Sequence, residues 1–259
     1  MKELRIILRY ANNSFQQILS TPLVFMFFLI AKILRYGLFL IFLYLLVTGV
    51  KHLGGYTTMQ MLMFYIVFNL IDTTAQLLFR EVYRFRPLVA SGELDFVLAK
   101  PLHPLIRCLF GGPDFIDAGM LLILLSITSY FLIFIIKPEI TSLLLFIMLF
   151  FNTLIIAAAF HICVLAIGVM TLSVDNIVMI YRDLTALVRI PVDLYFDPLR
   201  TVLTFVIPVG IMFTFPAKAL FGLLSWQLVA ISLAFGLGGI FLALKFWNHA
   251  LKHYQSASS

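Results

Sequence analysis

The stretch SVDNIVMIYRDLTALVRIPVDLY, Ser173–Tyr195, decides how many times this chain crosses a membrane. Asp175, Arg182 and Arg189 recur every seven residues, two turns of helix, and so share one face. Two readings fit. In one, Val174–Val192 is a fifth span whose charged face is buried in protein, since charges left in hydrocarbon are costly. In the other it is an amphipathic helix in the cytoplasm. The span is the reading adopted here, and it makes the three residues a candidate intramembrane charge network.

The composition around it settles the class. Hydrophobic residues are 63% of the 259 and charged residues 12%, and mean hydropathy is +1.08. A soluble domain is about half apolar and about a quarter charged. Several runs reach the roughly 20 apolar residues that a bilayer core demands. The chain is therefore an all-α polytopic membrane protein, with residues 1–259 forming one domain. The net charge of +6 reads as topology signal, so no nucleic acid is expected as a partner. Cys108 and Cys163 are too few for a disulfide framework or metal site, and no cofactor is expected.

The first 20 residues lack the apolar core of a cleavable signal. Leu4, Ile7, Leu8, Ala11, Phe15, Ile18 and Leu19 share one helical face, Arg5, Arg9, Asn12, Asn13 and Gln16 another. This pattern suits an interfacial helix, ended by Pro22. The first span follows at Leu23–Val50. Lys32 and Arg35 inside it either place the start of the hydrocarbon segment near Tyr36 or snorkel to the headgroups. In the second span, Thr58–Phe79, Asn69, Asp72, Thr73 and Gln76 form a polar stripe at i, i+3, i+4 and i+7. They are either the polar face of a translocation path or hydrogen-bonding glue between helices. A third span, Pro113–Ile136, opens with Asp114 and Asp117 in its first turn. A fourth, Ile140–Leu172, carries a lone His161, read as a packing residue. Pro198, Pro208 and Pro216 interrupt the next apolar stretch, which suits a broken, re-entrant segment. The last span, Trp226–Trp247, has Trp at both edges.

Charge sets the orientation. Lys2, Arg5, Arg9, Arg80, Arg84, Arg86, Lys100, Arg107, Lys245 and Lys252 fall on one side, against Lys51, Lys137, Arg200 and Lys218 on the other. Ten against four puts both termini, Ser91, Lys100 and Ser256 in the cytoplasm, with Lys51 and Lys137 outside. An even number of spans is required, and six fits.

Two motifs give a resemblance. GELDFVLAKPLHPL, Gly92–Leu105, resembles the G-x-L-D-x-x-L-x-K-P signature of a small-permease branch of the ABC-2-type permeases, the membrane subunits of ATP-binding-cassette exporters. RIPVDLYFDPLRTVLTFVIPVGIMFTFPAKAL, Arg189–Leu220, resembles that branch's second pattern, P-x-x-x-Y followed by spaced prolines. Lys32 and Arg35 depart from the family's usual first span. The resemblance implies a permease that pairs with a second copy or paralogue and with cytoplasmic ATP-binding subunits. It also implies export of a drug-like amphiphile, a lipid or a peptide. The chain has no G-x-x-x-x-G-K-[ST], so the ATP site belongs to another polypeptide. Force must then arrive through the loop below the second span. There Leu94, Phe96, Val97 and Leu98 read as an apolar knob rimmed by Glu93, Asp95 and Lys100, with Pro101 setting the exit and Pro87 interrupting the helix above. The other reading of this loop dips its apolar residues into the membrane surface. H-E-x-x-H and Gly-rich serine nucleophile motifs are absent, which argues against an enzyme. A channel or an assembly scaffold without ATP coupling is the alternative function.

Overall fold

The computed structural model describes residues 2–50, 53–101, 103–171 and 174–254. Lys51, Leu172 and Ser256, to which the sequence assigns positions above, lie outside the described residues. The fold is all-α. In order come α1 (Lys2–Leu19), α2 (Pro22–Val50), α3 (Thr58–Phe79), α4 (Phe85–Ala90), α5 (Glu93–Leu98), α6 (Pro104–Phe110), α7 (Phe115–Tyr130) and α8 (Ile140–Thr171). Then follow α9 (Val174–Leu187), α10 (Leu199–Thr201), α11 (Val209–Leu220) and α12 (Trp226–Lys252).

Among the described residues, five helical stretches are long and apolar enough to cross a membrane alone: Pro22–Gly49, Thr58–Ala90, Phe115–Ile136, Ile140–Thr171 and Trp226–Lys252. At 14 residues, or about 21 Å, α9 falls short of one. Its contacts nevertheless run the full length of α3 and its extension. Asp175 meets Arg86, Arg182 meets Gln76, Arg189 reaches the Phe39 ring beside Tyr65, and Asp193 meets Tyr56. Helix α9 therefore lies antiparallel to α3. Pro191 stops it, and residues 188–195 continue along α3 without regular α-helix. Thr214 accepts from the freed Val192 N–H at 3.1 Å, and Tyr195 donates to the Leu187 carbonyl at 2.5 Å.

The re-entrant segment comes next. Here α10 runs into a π turn, Val202–Val206, and meets α11 at a 90° bend. Pro208 makes the break and Ile207 is extended there (φ −116°, ψ 90°). Inside α11, Pro216 has no N–H for the Met212 carbonyl. The Thr153 hydroxyl of α8 donates to that carbonyl instead, at 2.9 Å. A broken helix at membrane depth needs such covering.

Helix α3 forms the centre of the bundle, buried along most of its length. A capping box starts it: Gln60 N–H donates to the Thr57 hydroxyl at 3.3 Å, and Thr57 N–H to the Gln60 side chain at 2.9 Å. Helices α8 and α12 are joined by Asn152, whose amide donates to the Ser232 carbonyl and hydroxyl at 2.8 and 3.0 Å. Gly236 lies against this amide with no room for a Cβ, so a small residue allows the glue to form. His161 is buried, its Nδ1 2.7 Å from the Ala157 carbonyl, among Phe79, Tyr83 and Tyr181.

Three local expectations change. Helix α3 gives way to a 3-10 turn at Arg80–Arg84, seven residues before Pro87, and Pro87 then sits in the first turn of α4, where its missing N–H costs nothing. Asp114 is the N-cap of α7, accepting from Ile116 N–H at 2.9 Å, with Pro113 outside the helix. Asp117 is buried and paired with Lys32 of α2. Lys32 therefore reaches sideways to protein and needs no headgroup.

Candidate functional site

Two regions gather the polar side chains. The first is a cavity of about 190 Å³ between α2, α3 and α9. It is lined by Asn69 and Asp72 from α3, Arg35, Tyr36 and Phe39 from α2, and Arg182 and Asp183 from α9, with Arg189 just beyond its end. The seven-residue spacing places Arg182 and Arg189 on this wall, and the α3 stripe supplies the facing wall. Gln76 bridges them: its amide nitrogen donates to Asp72 Oδ2 at 2.6 Å and its oxygen accepts from Arg182 at 3.4 Å. The Asn69 side chain also donates to the Tyr65 carbonyl at 2.7 Å. Thr73 is fully buried outside the cavity lining, and its hydroxyl has no partner among the described residues. Asp175 also stands apart from the cavity, since its carboxylate takes Arg86 at 2.6 Å.

The second region is the end of the bundle where α1 and the end of α12 meet the segment after α3. Glu81 collects Arg107 at 2.5 Å and Arg84 at 3.7 Å, while Arg80 faces Asp114 at 3.4 Å. The Arg107 guanidinium also lies 4.8 Å from the Tyr10 ring centroid, and Phe15 packs on Phe115 at 5.0 Å. These contacts fix α1 to the loop. Beside them, burial pushes the Cys108 thiol up to about 12, which leaves it unreactive at neutral pH.

The knob is smaller than the sequence suggests. Gly92 takes a left-handed conformation (φ 77°) and turns the chain into α5. Leu94 and Val97, three apart on one face, are buried against the bundle. Leu98 is half-buried, and Phe96 is left 71% exposed on the opposite face. Glu93, Lys100 and Pro101 are exposed around it. Asp95 faces the other way, toward the C-terminal end of α12: burial and the Asp95 carboxylate push the Tyr254 phenol up.

Two features escaped the sequence reading. Arg35 belongs to the cavity wall, and α4 is tied to the first turn of α9 through Arg86 and Asp175. Among the described residues no group of His, Cys, Asp and Glu side chains could hold a metal ion. No curated protein and no solved structure matches the chain. Residues 29–258 match the family described as ABC-2 family transporter protein. That match begins at Leu29, within α2, and takes in the loop segment and the re-entrant bend, and the chain belongs to the ABC-2 transporter family as a membrane-embedded permease subunit that works with a separate ATP-binding subunit.

Proposed function

We propose that this permease exports an amphiphilic small molecule, lipid or peptide across the cell membrane. It does so as a pair with a second copy or a paralogue, with both termini and residues 80–107 in the cytoplasm. The cargo passes by the cavity between α2, α3 and α9, whose polar face on α3 is Asn69 and Asp72, held by Gln76 behind them. The observation that carries this reading is mechanical. Helix α9, which supplies Arg182 and Arg189 to the cavity region, is also the helix that Arg86 ties to α4 in the loop. A push on the loop therefore has a short, rigid route to the cavity. Phe96 is the docking contact for the ATP-binding subunit, with Glu93, Lys100 and Pro101 around it and Asp95 on its inner flank. An exposed aromatic ringed by charge is the usual centre of such an interface. The alternative, a channel or scaffold without ATP coupling, has no use for that route.

The test is the assembled transporter in nanodiscs. Phe96→Ala removes a side chain that supports nothing inside the protein. It should lower affinity for the ATP-binding subunit roughly tenfold or more, and with Asp95→Lys should abolish transport-linked ATP hydrolysis while insertion and pairing persist. A double variant that still co-purifies with its ATPase and transports normally would sink the reading.

A further inference from the structure

Three guanidiniums converge on the cavity, from Arg35, Arg182 and Arg189. Among the described residues, none of them forms an ion pair with a carboxylate. Arg182 donates to the Gln76 amide, Arg189 lies 6.0 Å from the Phe39 ring centroid, and Arg35 lies 5.0 Å from that of Tyr36. Lys32, less than one turn away on α2, has its carboxylate in Asp117. The chain pairs the lysine directly, whereas the three arginines share the lining with two carboxylates, Asp72 and Asp183, which leaves a net positive charge. Arg35 lies near the middle of α2, roughly 20 Å of helix from either end, which is far for a headgroup phosphate to meet it. An excess of positive charge at such depth is expensive and marks a ligand path.

The rest of the lining says what kind of ligand fits. Tyr36, Phe39, Tyr65 and Phe68 form an aromatic floor, with Phe39 and Tyr65 centroids 4.7 Å apart. About 190 Å³ holds a headgroup and little more, since pockets for whole drug-sized ligands start near roughly 300 Å³. We infer that the cargo is an anionic amphiphile. Its carboxylate, sulfonate or phosphate group is bound by Arg35, Arg182 and Arg189, and its apolar body rests on the aromatic floor and the uncovered side of α2. Guanidiniums suit such oxyanions because their paired N–H groups match two oxygens at once. This inference rests on reading the cavity as part of the cargo path.

The experiment uses the assembled transporter in phosphatidylcholine nanodiscs, with empty discs subtracted. Anionic 8-anilinonaphthalene-1-sulfonate and uncharged N-phenyl-1-naphthylamine share a ring system, and fluorescence reports both. The sulfonate should bind saturably and about tenfold tighter, the scale of one charge-assisted hydrogen bond. Arg35→Gln, Arg182→Gln and Arg189→Gln should each remove most of that preference. On the unaltered protein, decyl sulfate should displace the dye at about tenfold lower concentration than decyltrimethylammonium, a comparison that needs no variant to fold. Equal binding of the two dyes, or equal displacement by the two detergents, would overturn the inference. ATP-driven transport separates the two claims. Glutamine variants that lose the anion preference yet transport normally would remove the cavity from the cargo path. Variants that lose transport in a protein without sign preference would keep the path and discard the anion.

Discussion

Helices α2 and α3 are neighbours with opposite surroundings. Helix α2 is the longer and more apolar, and most of it is uncovered: Leu23, Phe27, Leu38 and Leu45 are each more than 60% exposed. Helix α3 is less apolar, carries Asn69, Asp72, Thr73 and Gln76, and is wrapped by protein. In water the ordering would be reversed. A bilayer is itself an apolar solvent, so leucine gains little by leaving it, whereas an amide or carboxylate must find protein partners. Burial in this molecule therefore follows polarity. On this argument α2 should be held by its few polar contacts, with its leucines contributing little.

The sharpest way to break that comparison is at Asp117. Its side chain is 1% exposed and its partner Lys32 24%. Asp117→Leu leaves an ammonium part-buried without its counter-charge, which costs about 3–5 kcal/mol when one partner of a buried pair is removed. The expected outcome is a large drop in the thermal aggregation midpoint in detergent. Adding Lys32→Leu should recover most of it, since a matched apolar pair needs no charge. An Asp117→Leu protein as stable as the parent would mean that α2 is held elsewhere.

The same pair marks where the sequence stops being readable. Lys32 and Asp117 are 85 residues apart and Arg86 and Asp175 are 89 apart, and no local spacing pairs them. Taken alone, Lys32 resembles a snorkelling residue and Asp117 a helix-dipole residue. What periodicity does report is which residues share a face. Half of the stripe on α3, Asn69 and Asp72, and two of the seven-residue repeat, Arg182 and Arg189, line the cavity, though spacing does not say that they meet. Helical spacing also separates Leu94 and Val97 from Phe96, and reading the knob as a single apolar cluster overlooks this. The fifth span expected at Val174–Val192 is harder to read, because its helix stops at Leu187, too short to cross alone, and irregular chain follows.

A second test falls between the extremes. Arg86 and Asp175 are 58% and 50% exposed, and an exposed pair contributes about 0–1 kcal/mol to stability. Arg86→Ala should therefore leave the aggregation midpoint almost unchanged. If the pair links loop to cavity, ATP-driven transport should still fall, by roughly fivefold at most on that energy scale. The charge-swapped double variant, Arg86→Asp with Asp175→Arg, should restore it. A stability loss as large as that of Asp117→Leu would show that the tie at the bundle's end is structural, and the polar contacts could no longer be ranked by burial.

The smallest expected effect is at Leu38, which points away from the protein at 64% exposure. In water, truncating an exposed leucine changes little because the side chain was already solvated. In a bilayer the argument is the same with lipid in place of water: the leucine is surrounded by hydrocarbon whether α2 is docked or free. Leu38→Ala should leave the aggregation midpoint of the monomer within about 0.5 kcal/mol of the parent, the range of substitutions away from any packed feature. The informative variable is the fraction of paired permease, measured by crosslinking in the same nanodiscs. If pairing is also unchanged, that part of α2 faces lipid and the contrast with α3 holds. If pairing collapses while the monomer stays intact, another chain covers it, and the apolar face of α2 is a buried surface of the assembled transporter.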